Sequence, residues 1–271
     1  LPELPEVETV RRDLACAVTG ARVDHVTVTG ARSIRRQRPE DFAAALTGTR
    51  FEHVGRRGKY LLVALDSGQV LVAHLRMSGQ LLIAPPGDDA VKKHTHVRVR
   101  FSDGRELRFV DPRTFGELFV SSAELPELSA LGVDALGIEL ATLAALVGAS
   151  RARLKPWLLD QRATAGIGNI YSDEILWTAR LRWSRRADRL RPVEVRRLHA
   201  AVTTVLADAI AERGSSLGDA QYVDLAGRPG SYQERHSVYG REGLPCPRCG
   251  RPIERTVVAQ RSHFWCRACQ R

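Results

Sequence analysis

The sequence predicts an α+β multidomain fold in three parts: an N-terminal β-sandwich carrying an N-terminal helix, a helical part, and a C-terminal hairpin-like segment built on a metal. Three observations predict it. Short β-rich runs punctuated by hairpin-turn pairs fill the first half, helical periodicity replaces them past Ser122, and four cysteines close the chain as two C-x2-C pairs. The expected limits are 1–122, 123–236 and 237–271.

The first element is a helix over residues 4–18, where Val7, Val10, Leu14 and Val18 share one face and Gly20 stops the run. Pro5 suits a first helical turn, and Glu6 and Glu8 complement the positive end of the helix dipole. Strand-like runs follow at 23–28, 51–54, 60–65, 70–75, 97–101, 107–110 and 118–120, with Ser67-Gly68 and Asp103-Gly104 as hairpin turns. Helical spacing then takes over at 141–147, 154–160, 170–179 and 193–213. Residues 214–237 show no clear element, and loops that long inside compact domains are usually functional or mobile.

With 41 Lys+Arg against 31 Asp+Glu the net charge is +10, which favours a polyanionic partner. Arginine dominates the basic set and suits bidentate phosphate and guanine contacts. No apolar stretch approaches the ~20 residues that span a bilayer, and the start lacks the apolar core of a signal peptide. The expectation is a cytosolic, soluble protein.

Cys246, Cys249, Cys266 and Cys269 have the spacing of a four-thiolate tetrahedral zinc site. With all four positions filled by protein, one Zn2+ there is structural, substituting for a core that so short a segment cannot build. Two disulfides or a redox pair fit poorly with a reducing compartment. Cys16, alone among apolar residues, is expected to be a buried thiol without a role.

The start of the chain carries chemistry of its own. If Leu1 is absent from the mature protein, Pro2 is a free secondary amine beside Glu3. An α-amine, with a reference pKa near ~8, is partly unprotonated at neutral pH and can attack an electrophilic sugar carbon to give an iminium ion. The competing reading is a helix start only. A retained Leu1 would make the Pro2 nitrogen an amide with no lone pair to offer; the expected explanation is a non-ATG start codon read literally as leucine.

Taken in order, Pro2-Glu3-Leu4-Pro5-Glu6-Val7-Glu8, Arg57-Gly58-Lys59-Tyr60-Leu61, Met77-Ser78-Gly79, Asp111-Pro112-Arg113-Thr114-Phe115-Gly116, Lys155-Pro156-Trp157, Gly166-Ile167-Gly168-Asn169-Ile170-Tyr171 and the terminal cysteines resemble the bacterial formamidopyrimidine-DNA glycosylase family. The resemblance covers essentially the whole chain. It implies that 123–236 is a helix-two-turns-helix DNA-binding domain including a lesion-capping loop, that 237–271 is a zinc finger, and that DNA crosses a cleft between the halves. The implied reaction is excision of 8-oxoguanine and formamidopyrimidines from duplex DNA, with the damaged nucleotide everted, followed by strand cleavage through β,δ-elimination.

The resemblance also implies roles. Pro2 is the nucleophile at C1′, and Glu3 the general acid and base. Lys59 touches the lesion phosphate and takes part in elimination; otherwise it is a solvated strand end. Met77, Arg113 and Phe115 fill the gap left by eversion, although alone the two apolar residues would read as core and Arg113 as a turn residue. Asn169 holds a phosphate at a helix start or acts as an N-cap. Arg261 contacts phosphate and serves the second elimination, while His94, Arg153 and Lys155 are further DNA contacts. Which residues of 214–237 cap the flipped base does not follow from the sequence; Ser215, Ser216 and Tyr222 are candidates only by being polar and nearby in the chain. The implied partner is double-stranded DNA bearing oxidised bases, with no membrane, no small-molecule cofactor and a monomeric state, in the bacterial cytoplasm at the nucleoid.

Besides Leu1, two positions depart from the family pattern: Arg76 stands where the family usually has glycine before the methionine, and Thr114 where many members have a second arginine. The alternatives are an endonuclease VIII type acting on oxidised pyrimidines, whose start and wedge differ from those here, and a damage-binding or zinc-ribbon module without chemistry.

Overall fold

The computed structural model describes residues 2–218 and 222–271. By compactness these divide into two units, residues up to 129 with 212–231, and residues 130–211 with 232–271. The stretch 212–231, expected with the helical part, therefore packs with the N-terminal half, and the cysteine hairpin packs with the helices.

The first unit opens with helix α1 (Leu4–Val18), whose bounds match the expected ones. Strand β1 (Val23–Val28), helix α2 (Pro39–Leu46), and strands β2 (Phe51–Arg57), β3 (Tyr60–Leu65), β4 (Val70–His74), β5 (Gln80–Ala84), β6 (Thr95–Phe101), β7 (Glu106–Val110) and β8 (Glu117–Ser121) follow. They form two four-stranded antiparallel sheets, ordered β1-β6-β7-β5 and β2-β3-β4-β8. Val7, Val10, Leu14 and Val18 of α1, Phe42 of α2, and the inner faces of both sheets make one core, in which Phe51 and Phe101 meet edge to face at 5.4 Å.

Sequence reading missed α2 and β5. Helix α2 lacks a side-chain cap at Arg38 but carries Pro39 in its first turn with Glu40 and Asp41, which suit a helix start. Strand β5 is apolar without alternation because its middle residues are covered on both faces. Cys16 is exposed rather than buried: it lies midway between Leu14 and Val18, on the opposite side of the helix from that face.

The second unit contains α3 (Leu140–Gly148), α4 (Leu154–Leu159), α5 (Asn169–Thr178) and α6 (Pro192–Ala211), a two-residue parallel pair of β9 (Val133–Asp134) with β10 (Thr164–Ala165), and the hairpin β11 (Glu254–Val258) with β12 (Arg261–Trp265). The hairpin turn is Ala259-Gln260, both at positive φ, as a two-residue turn matching strand twist requires. Adjacent buried carboxylates on α5 fasten this hairpin and the segment that leads to it. Asp173 takes Lys155 Nζ, His263 Nδ1 and the Phe264 amide, and Glu174 accepts the amides of Ser237, Val238 and Tyr239. No helix among the described residues is long and apolar enough to cross a membrane.

Candidate active site

The chain start is tied to its own helix and to the 212–231 segment. Pro2 and Glu3 are buried, and Glu3 is the N-cap of α1 in a capping box: its side chain accepts a backbone amide of the first turn while its own amide donates to Glu6 Oε2 at 2.8 Å. The other Glu6 oxygen accepts the Ser215 amide at 2.7 Å. Gly214, at φ +79°, is required here, because a Cβ would stand 2.7 Å from that same Glu6 oxygen. Arg213 pairs with Asp13 of α1 and with Asp224, and the Leu225 carbonyl accepts the Ile83 amide of β5 at 3.0 Å.

Ser215, Ser216 and Tyr222, candidates for capping the flipped base, are all buried. Ser216 Oγ donates to the Tyr222 carbonyl at 2.7 Å and accepts the Gly230 amide at 2.9 Å, while the Tyr222 hydroxyl donates to the Arg213 carbonyl at 2.9 Å. These side chains hold the base of the loop closed. Burial, with Glu6 nearby, pushes the Tyr222 hydroxyl pKa well up, so it stays a neutral donor.

Lys59 is half-buried in the two-residue turn between β2 and β3, after Gly58 at φ +57°. Arg56 links that turn to α1, donating to the Gly58 carbonyl at 2.7 Å and pairing with Glu8 at 3.1 Å. Burial alone would raise the Glu8 pKa, but guanidinium donors from Arg11, Arg12 and Arg56 outweigh it and hold Glu8 below its ordinary value.

The three gap-filling candidates sit on two neighbouring loops. Met77 and Phe115 are half-buried and Arg113 exposed, so none is a core residue, unlike the five phenylalanines of the sandwich. Arg113 already stacks over the Phe115 ring at 4.8 Å. Both loops are organised by Asp111, which sequence reading passed over. Its fully buried carboxylate takes Ser78 Oγ from the Met77 loop, the Arg113 amide at 3.1 Å and the Gly116 amide at 2.7 Å. An Asp followed by Pro in a turn was the available signal. His94 is exposed at φ +65°, and its carbonyl accepts the Asp111 amide at 2.9 Å, so it borders the same loops.

The two departures, Arg76 and Thr114, share a backbone feature: φ is +53° and +52°, a left-handed conformation that costs a non-glycine residue about 1 kcal/mol. His74, two residues before Arg76, is buried, and the charges of Arg76 and Lys59 act on it. Burial first, then those cations, bring its pKa down to about 3, so the ring is neutral, and its Nδ1 accepts the Arg76 amide at 2.9 Å.

In the second unit, Asn169 is the first residue of α5 rather than its cap, which is Gly168. Asn169 Nδ2 donates to the Ser262 carbonyl at 3.0 Å, and its buried Oδ1 has no hydrogen-bond partner. This places the α5 start against the hairpin strand that begins at Arg261, which is exposed. Arg153, at the start of α4, is exposed too. Lys155 is not available to DNA: it is fully buried and its ammonium is consumed by Asp173 and the Asn169 carbonyl. It is a framework residue, because an unpaired buried ammonium would cost several kcal/mol.

The four cysteine sulfurs all lie within 4.8 Å of one another, with Cys249–Cys266 at 3.5 Å and Cys246–Cys269 at 4.0 Å. A tetrahedron of ~2.3 Å Zn–S bonds requires about 3.8 Å between sulfurs, so the set fits one zinc ion and no disulfide. Burial raises the Cys266 thiol and pushes Cys269 up to about 12. For Cys246, burial is outweighed by the Trp177 indole N–H at 3.4 Å and the backbone amides of Arg248 and Cys249, which bring it down to about 6. A dication is what holds four such neighbours together as thiolates. The chain carries one structural zinc site.

Three family models match the chain in order: the formamidopyrimidine-DNA glycosylase N-terminal domain over residues 1–118, the formamidopyrimidine-DNA glycosylase H2TH domain over 131–221, and the zinc finger found in FPG and IleRS over 243–271. The formamidopyrimidine-DNA glycosylase of Salinispora tropica is 47% identical over all of this chain and 96% of its own length. The crystal structure of MutM (Fpg) from Thermus thermophilus superposes with a TM-score of 0.87 at 44% identity, covering 99% of this chain and 98% of that one. The Lactococcus lactis enzyme in complex with DNA containing N7-benzyl-Fapy-dG superposes with a TM-score of 0.90 at 32% identity, covering 99% of both chains.

Proposed function

The chain belongs to the formamidopyrimidine-DNA glycosylase family, and on that premise we propose that it excises oxidised purines from duplex DNA and then cleaves the strand at the resulting abasic site. The observation that carries this reading is the content of the first unit: a proline and a buried carboxylate at the start of α1, with Met77, Arg113 and Phe115 on two loops joined through Asp111.

The Pro2 nitrogen, as a free amine, attacks C1′ as the base departs, and the iminium acidifies the proton on C2′. β-Elimination expels the 3′-phosphate and a second elimination expels the 5′-phosphate. Glu3, held by the capping box, moves the protons at the sugar. Lys59 and Arg261 neutralise phosphates, and Asn169 with Arg153 positions the backbone without reading sequence. Met77 and Phe115 fill the vacated stack, and Arg113 donates to the widowed base. His94, beside the same loops, is a further DNA contact. The zinc ion keeps the hairpin folded and takes no part in the chemistry.

DNA carrying oxidised bases is the partner, the active species is a monomer, and the working compartment is the bacterial cytoplasm. The division into 1–122, 123–236 and 237–271 describes the functional segments, with 212–231 acting beside the first. Single-turnover cleavage of duplexes bearing 8-oxoguanine or thymine glycol tests the substrate class. At least tenfold faster excision of 8-oxoguanine is expected, since a site built to hydrogen-bond one base rejects another strongly. Preference for thymine glycol would instead support the pyrimidine-specific sister type, and binding without cleavage of either a damage-binding protein.

A further inference from the structure

The two loops that carry Met77 and Arg113-Phe115 are joined twice. One link is Ser78 to Asp111. The second uses Arg76, whose Nη2 donates to Glu117 Oε1 at 3.0 Å, from the second residue after β4 to the first residue of β8. Glu117 is buried at 5% exposure and needs a cation, while the Arg76 side chain remains 44% exposed. Its other oxygen faces Arg36 Nε at 3.5 Å, and Arg36 lies over the Phe119 ring at 4.5 Å. Arg35, next in sequence, donates to the Thr114 carbonyl at 2.7 Å. Each left-handed residue is thus braced, Arg76 through its side chain and Thr114 through its carbonyl. A strained arginine at position 76 persists only because its surroundings over-determine it, and the bond to Glu117 is what a glycine there would lack.

We propose that Arg76, acting through Glu117, is a positioning residue for the gap-filling loops, setting the spacing between Met77 and the Arg113-Phe115 pair before DNA arrives. The inference rests on the proposed glycosylase reading and deepens it. The brace matters only where a base must be everted and the gap filled, so duplex substrates feel its loss and a single-stranded abasic site does not. The exposed side chain admits a rival role, in which Arg76 leaves Glu117 to bind a DNA phosphate directly.

The test compares Arg76→Gly and Glu117→Gln with the unaltered protein in two assays: excision of 8-oxoguanine from duplex DNA, and borohydride trapping on a single-stranded abasic oligonucleotide. Arg76→Gly relaxes the backbone at that residue and leaves Arg36 against the buried Glu117, so folding is preserved. Both variants are expected to slow duplex excision by about tenfold, a loss typical of misplaced binding groups, and to trap on the single strand at the unaltered rate. The salt dependence of duplex affinity is expected to stay unchanged. Three results overturn the inference: unaltered duplex excision, equal slowing on both substrates, or an Arg76→Gly salt slope reduced by about one phosphate contact while Glu117→Gln binds more tightly. An unaltered protein that traps neither substrate would overturn the functional reading, and this inference with it.

Discussion

The sandwich and the cysteine hairpin solve the same stability problem by different means. The sandwich buries aliphatic and aromatic side chains from α1, α2 and eight strands in one continuous core. The hairpin's own cluster is Val238, Cys246, Ile253 and Cys266, with Trp177 and Phe264 against it, so half of its buried members are metal ligands. What the second lacks in apolar area is supplied by zinc and by Asp173 and Glu174, which reach the hairpin from α5. One region therefore depends on its core and the other on its ion.

Zinc removal separates the two most sharply. A structural Zn2+ of this type contributes on the order of 10 kcal/mol to folding of its segment. Chelation, or Cys249→Ser, is expected to unfold the hairpin and abolish duplex binding, while Phe109→Ala instead costs the sandwich about 3–5 kcal/mol. Zinc content and two-probe thermal unfolding check this. Loss of the sandwich transition on chelation would mean that the regions do not differ as described.

Acid produces a smaller effect, in the sandwich through His74 and in the second unit through His236. Burial lowers the pKa of His74 to about 3 and of His236 to about 4, below the ordinary value of 6.5. Between those limits the unfolded chain binds more protons than the folded one, so stability is full above about pH 6.5 and falls as pH drops. The slope approaches about 1.4 kcal/mol per pH unit for each histidine. Unfolding midpoints from pH 7 to 5 should show it, with a shallower dependence in His74→Gln.

Legibility differed between these regions as well. Helix α1 and most strands of the sandwich were readable because their periodicities are regular and their turns carry Ser-Gly or Asp-Gly. The cysteine spacing located the metal site without any periodicity. What stayed hidden was tertiary in origin. Nothing in Lys155-Pro156-Trp157 shows that Asp173 would bury the lysine, and nothing near Ser215 or Tyr222 shows that the segment closes on Glu6. Asp111 looked like one turn residue among several, although four hydrogen-bonding groups converge on its carboxylate and backbone amide.

On the proposed mechanism the start of α1 is the reactive centre. Borohydride trapping of the natively initiated protein on an 8-oxoguanine:cytosine duplex, with the cross-linked peptide identified by mass, tests it most directly. A covalent adduct on the Pro2 nitrogen is expected, formed only when that nitrogen is a free amine. A protein that binds the lesion tightly with Pro2 exposed as the first residue, yet gives no adduct or one on a lysine, would contradict it.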